Sequence, residues 1–212
     1  MALSKVNYNS LNVTPTASKF LMWDSDADAL QASDVGGNLK LISTVTISSA
    51  TAAASFTSGI DSTYKEYIFK YINFHGPNAA LQVGFRDGST DYDASKTTTF
   101  FRASHAENDS ATDLSRRTGG ELSEGTGFQS LGSTPGDDND ASISGYLHLF
   151  DPSSTTFVKQ FISQSNTYAD NTETQHTFVA GHCNVTAAID GVQFKFSSGN
   201  IDSGVIKMYG VL

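Results

Sequence analysis

Residues 64–75 read YKEYIFKYINFH, and this stretch decides the fold class. Tyr67, Phe69 and Tyr71 fall on one side of a period-2 ribbon, and Ile68, Ile72 and Phe74 on the other, which predicts a strand buried on both faces. Aromatic and β-branched residues at this density favour extended backbone over helix.

The same period continues on both sides. After a break at His75-Gly76-Pro77-Asn78, Leu81, Val83 and Phe85 alternate with Gln82, Gly84 and Arg86, and Arg86-Asp87-Gly88 turns the chain. On the N-terminal side Leu39, Leu41, Val45 and Ile47 open the pattern. Further strands are predicted at 97–102, 143–150, 157–164, 177–183, 189–196 and 205–211, the last two joined by a hairpin-like link through Ser197-Ser198-Gly199-Asn200 and Asp202-Ser203-Gly204. Gly, Asn, Asp or Pro punctuates the series and no helical pattern is long enough for a βαβ crossover. The expectation is roughly nine or ten strands in an all-β, two-sheet antiparallel sandwich of jelly-roll kind.

Two segments depart from the pattern. Residues 1–38 have neither a helical nor a sustained alternating period; they carry an acidic cluster, Asp24-Ser25-Asp26-Ala27-Asp28, and one apolar knot, Phe20-Leu21-Met22-Trp23, before the turn signal Asp34-Val35-Gly36-Gly37. This predicts an extended N-terminal arm, 1–38, attached to a sandwich domain, 39–212. The knot either fills a gap on its own domain or anchors the arm in a partner, since aromatic anchors carry much of an interface's energy. The other segment is a long inserted loop, about 103–142, expected to be mostly ordered with Leu114, Leu122, Phe128 and Leu131 as apolar ballast.

Composition narrows the function. The 28 Ser, 22 Thr and 18 Gly make up roughly a third of the 212 residues, and charged residues reach 17%, below the usual ~25%. That excludes an all-α protein. The formal charge of −9 disfavours a phosphate backbone or anionic membrane as partner, so neither nucleic-acid binding nor membrane insertion is expected. A single cysteine, Cys183, leaves no intrachain disulfide, and the start MALSKVNYNSLNV lacks the apolar core of a secretory signal, so synthesis in a cytosol is expected.

The residues offer no catalytic constellation. There is no G-x-S-x-G elbow, H-E-x-x-H, C-x-x-C or Gly-rich phosphate loop. His182 and Cys183 point to opposite faces of one strand and do not make a metal pair. The Asp24 cluster imitates the opening of an EF-hand, but Ala29 stands at the required Gly and Val35 at the bidentate Glu. With Asp137-Asp138-Asn139-Asp140, it reads as a solvated acidic turn, with a weak surface Ca²⁺ site at either cluster as the alternative. For a glycosidase the carboxylates available are Glu66, Glu107, Glu121, Glu124 and Glu173, three of them in the long loop. No cofactor is expected, and the chain reads as non-enzymatic.

MALSKVNYNSLNV, STYKEYIFKYINFH, KTTTFFRA, GYLHLFDPSSTTFVKQFI and FKFSSGNIDSGVIKMYGVL together resemble virion structural proteins of tailed bacteriophages, marine ones especially, of the fibre, appendage or decoration kind. The resemblance implies a β-rich, non-catalytic subunit at the virion surface, assembled in the host cytoplasm, often as a homotrimer, with other virion proteins as partners. It supplies no binding residues. Ser/Thr-rich, weakly charged strands suit lateral packing on their own account, because hydroxyls satisfy one another where buried charges would need partners. The competing expectation is a host-receptor or glycan-binding adhesin domain, with Tyr92, Phe128 and Tyr168 as contacts. A polysaccharide depolymerase using Glu121 or Glu124 is a third.

Overall fold

The computed structural model describes residues 19–23, 26, 30–33, 37–169 and 172–212. The chain divides after Asn38 into two compact units. In the first, β1 (Phe20–Trp23) pairs antiparallel with β2 (Leu30–Ser33), so the apolar knot is one strand of a hairpin and not part of an irregular arm. The acidic cluster lies almost wholly outside the described residues, as does the turn at Asp34 to Gly36.

The second unit holds twelve described strands: β3 (Leu39–Ile47), β4 (Ala54–Phe56), β5 (Glu66–His75), β6 (Leu81–Arg86), β7 (Lys96–Ala106), β8 (Thr112–Arg116), β9 (Gln129–Ser130), β10 (Ile143–Phe150), β11 (Lys159–Tyr168), β12 (Glu173–Cys183), β13 (Gly191–Phe196) and β14 (Ser203–Val211). They form a two-sheet antiparallel sandwich, with one sheet ordered β3-β14-β5-β10-β11-β12-β7-β8 and the other β4-β13-β6-β9. Eight strands pair in nested fashion across the two sheets: β3 with β14, β4 with β13, β5 with β10, β6 with β9. The remaining four, β11, β12, β7 and β8, extend the larger sheet beyond β10.

The sheets meet through aromatic side chains. Phe56 of β4 packs edge-on to Phe69 of β5 at 5.2 Å, Phe194 of β13 lies 5.8 Å from Phe69 and 6.0 Å from Tyr71, and Phe85 of β6 sits 4.9 Å from Phe161 of β11. Each ring is fully or almost fully buried, a position that stabilises by about 1.5–3 kcal/mol relative to exposure.

Three expectations change. β5 is not buried on both faces: Lys70 is exposed, and of the set Ile68, Ile72 and Phe74, Ile72 is 41% exposed. A β-bulge then moves Phe74, predicted on the outer side, to the inner one. Ile143 stands opposite Phe74 and Gly145 opposite Tyr71, so β5 carries one extra residue there, with Asn73 at φ 48°, and the bulge turns Phe74 inward beside Tyr67, Phe69 and Tyr71. The 197–204 link is not a hairpin, because β13 and β14 belong to different sheets and the chain crosses the sandwich there. The long loop is largely structured: β7 runs on to Ala106, turns into β8, passes a 3₁₀ turn at Thr118–Gly120 and contributes β9 to the smaller sheet. Within it Leu131 is fully buried, but Leu114 is 72% exposed and serves as no ballast.

Candidate functional site

The hairpin displays its apolar residues. Phe20, Leu21, Met22 and Trp23 are all about half or more exposed, Phe20 and Trp23 by 60% and 59%. The register places Leu21 opposite Ala32 and Trp23 opposite Leu30, so one face of the hairpin is wholly apolar, while Phe20 and Met22 lie on the other with Gln31.

The structure brings two of the three predicted aromatic contacts together. Tyr92 and Phe128, both half-buried, line a cleft of about 460 Å³ with Thr90, Asp91, Asp93, Thr126 and Gln193, beside the outer face of the four-stranded sheet. Gly84 on β6 makes this possible: a Cβ there would stand 2.7 Å from Phe128 Cε1 and 2.8 Å from the Tyr92 carbonyl oxygen. Gly84 is therefore covered, not open as its outward phase suggests. Lys195 Nζ lies over the Phe128 ring at 4.1 Å. The Arg86 guanidinium sits 6.0 Å from the Tyr92 ring, where its Nε donates to Asp190 Oδ1 at 2.8 Å and that bond raises its pKa. Aromatic faces, carboxylates and a side-chain amide around one cleft are groups that hold a hydroxylated ligand. Tyr168 is elsewhere, on the outer face of the larger sheet, with its hydroxyl pKa raised chiefly by Glu107.

The predicted acids do not assemble. Glu121 takes Arg116 Nε and Nη2 on its two oxygens at 2.8 and 2.7 Å and accepts the Phe100 N–H, and these bonds hold its pKa below the ordinary carboxylate value. A glycosidase general acid needs the opposite shift. Glu124 is exposed at φ 50°. Among the described residues no group of three or more His, Cys, Asp or Glu is placed to hold a metal, and no helix is long and apolar enough to cross a membrane.

Sequence reasoning missed the row Lys159, Cys183 and Lys96, adjacent in register on β11, β12 and β7 and all fully buried. Lys159 Nζ donates to the Val185 carbonyl at 2.9 Å and Lys96 Nζ to that of Ala94. Burial lowers the pKa of both lysines and raises the Cys183 thiol to about 12, despite the two ammonium groups. This is an inert thiol, not a nucleophile. The signal was present: Phe161 and Phe100 set the inward phase, which places Lys159 and Lys96 inside.

The outer face of the larger sheet is the last candidate surface. Leu39, Leu41, Ile72, Phe101, Leu114 and Ile162 all stand on it as exposed large hydrophobics. Phe101 and Phe178, opposite one another, stack at 4.7 Å with rings 9° apart, and His176 lies 4.2 Å from Phe178. The outward positions of the four-stranded sheet are by contrast Ser55, Gln82, Lys195, Gln193, Arg86 and Ser130. No protein-family model matches the chain, and no curated protein is significantly similar to it.

Proposed function

We propose that this chain is a non-enzymatic structural subunit of a tailed-phage virion, of the fibre, appendage or decoration kind, which docks through its N-terminal unit and displays the sandwich at the particle surface. The observation that carries this reading is the β1–β2 hairpin. An isolated two-stranded hairpin is marginal in water, and this one exposes an aromatic-rich strand on both faces, which is the composition of an anchor. The nested pairing of the eight strands supports the reading more generally, because a jelly-roll winding would pair strands in this way and viral capsid and lectin domains use that architecture; fold by itself assigns no function. The resemblance to phage virion proteins supplies the assembly and the expectation of a trimer. The test is incorporation: the full chain carrying Leu21→Ser and Trp23→Ser, or a chain lacking residues 2–36, should give a soluble folded sandwich absent from purified particles. Normal incorporation of either would refute the anchor.

A second reading, an adhesin domain that binds host glycan, is favoured by one observation, the convergence of Tyr92 and Phe128 on a single cleft. It predicts that the full chain binds oligosaccharides on an array and that Tyr92→Ala abolishes the signal. A depolymerase has least support, since Arg116 holds Glu121 ionised.

A further inference from the structure

The extension of the larger sheet mixes polar side chains with Phe161, Val179 and Phe100 on its inner face. On its inner face β11 carries Lys159, Ser163, Ser165 and Thr167, β12 carries Gln175 and Thr177, and all are buried. On the outer face, the alternate positions 97–105 of β7, 174–182 of β12, 160–168 of β11 and 144–150 of β10 include no Asp, Glu, Lys or Arg. A solvated surface of a small domain is about 25–35% charged, so four strands whose outward positions hold none of these residues are not composed for water, and carboxylates reach this face only at its borders, Glu66 on His148 and Asp109 on His105. On its β12–β7 side lies the Phe101–Phe178 stack, and on β11 Ile162 is 45% exposed beside Ala180.

We propose that this face, on β10, β11, β12 and β7, is the contact with a second copy of the same chain. The proposal rests on the structural-subunit reading and names the surface through which such subunits associate. Three observations favour a copy over another occupant. The chain carries a formal charge of −9, so two copies repel through most of their surfaces, and this face is where they meet without bringing like charges together. Its chemistry is self-complementary: Thr97, Thr99, Gln160, Gln164 and Asn166 surround the rings with groups that both donate and accept. Its size also fits. Four strands about 4.8 Å apart and about ten residues long cover roughly 20 by 30 Å, some 600 Å² before side-chain relief, against about 800 Å² per partner in a standard specific interface.

The test is the mass of the full-length chain in solution by light scattering and sedimentation across micromolar concentrations, compared with Phe101→Glu and Ile162→Glu. Both side chains are exposed, so neither change is expected to unfold the sandwich, and circular dichroism with thermal melting checks this. The expected result is an oligomer whose dissociation constant rises at least about tenfold in each variant, with no change in Gln82→Glu on the four-stranded sheet. Ala180→Cys then gives a cross-link between copies, the buried native Cys183 thiol contributing no background. A chain monomeric at 100 µM, an oligomer indifferent to both Glu variants, or an oligomer broken only by Leu21→Ser/Trp23→Ser would overturn the proposal. The last result would leave the hairpin anchor standing, so the two readings fail separately.

Discussion

The two halves of the eight-stranded sheet differ in how much polarity they bury. In the nested half, β3, β14, β5 and β10, the inner face is Tyr67, Phe69, Tyr71, Leu147, Leu149, Ile206 and Met208, and the outer face includes Glu66, Lys70 and Lys207. In the extension, hydroxyls, amides and two lysines point inward among Phe161, Val179 and Phe100, and Phe101, Phe178 and Ile162 point out. What covers each half explains the difference. The nested half lies under another sheet, whose backbone groups are already paired, so apolar side chains suffice there. The extension lies under β6 only at Phe161, which meets Phe85, and otherwise under β9 and the segment that follows it, whose carbonyls and side chains need donors: Ser165 Oγ donates to the Leu131 carbonyl at 2.6 Å, Thr98 Oγ1 to Gln129 Oε1 at 2.7 Å, and Arg102 Nη1 to Ser133 Oγ at 2.9 Å. A buried loop must have its backbone satisfied, and the extension's inner face is composed to do so.

The largest test of this comparison is in the nested half. Phe194→Ala removes a ring that touches Phe56, Phe69 and Tyr71 and leaves a cavity between two rigid sheets. It should cost about 3–5 kcal/mol in urea denaturation. A cost below about 1 kcal/mol would mean that the sheets collapse around the gap, and the contrast with the softer extension would disappear.

The second test asks how dry the extension's interior is. Burial raises the Cys183 thiol from 9.0 to about 12, so below pH 9 the thiol is protonated whether the chain is folded or not and contributes nothing. Above pH 9 the unfolded chain releases its proton and the native one does not, so the native state loses stability as pH rises. Lys96 acts in the opposite sense: its lowered pKa makes protonation costly in the native state, and that cost is relieved as pH rises toward the ordinary lysine value of 10.5. Comparing wild type with Cys183→Ala isolates the thiol. The variant's stability relative to wild type should rise by about 2 kcal/mol between pH 9 and 10.5, measured by denaturation at each pH. No change with pH would mean that water reaches this row.

Much of this arrangement was legible in the sequence, and the illegible part has one cause. Clean alternation fixed the inward set Leu81, Val83 and Phe85 of β6, all fully buried, and the two-sheet class followed from strand spacing and the lack of helical patterns. Alternation does not say what lies over a face. In β11, Phe161 turns inward onto Phe85 of β6 and Ile162 turns out, and alternation does not say that the polar residues in phase with Phe161 are buried beneath β9 and the segment after it. The bulge at Asn73 leaves Ile72 outside and moves Phe74 inside, and one extra residue is invisible to a period-2 reading. For the candidate sites, the aromatic types were readable but their grouping was not. Tyr92 and Phe128 are 36 positions apart and meet because Gly84 lets the ring of Phe128 lie against β6. Tyr168 has the same chemistry and lies on the other sheet.

The smallest expected effect is the sharpest probe of the extension, because its sign is informative. Thr177 is fully buried on β12, directly opposite Arg102 on β7 and Ser165 on β11, and its hydroxyl has no hydrogen-bond partner; the Thr167 hydroxyl is in the same condition. If the inner face is polar because the covering segment needs donors, then a hydroxyl that reaches no acceptor there is a cost, and replacing it with a methyl group of the same shape removes the cost. Thr177→Val should therefore stabilise the chain by about 1 kcal/mol, while Ser165→Ala, which strands the Leu131 carbonyl, should destabilise it by about 1–3 kcal/mol. Two neighbouring hydroxyls in one register row would then act with opposite signs. Were Thr177→Val to cost as much as Ser165→Ala, the polar interior would be a continuous network in which every hydroxyl is engaged, and the division between a sheet-covered and a loop-covered half would need another cause.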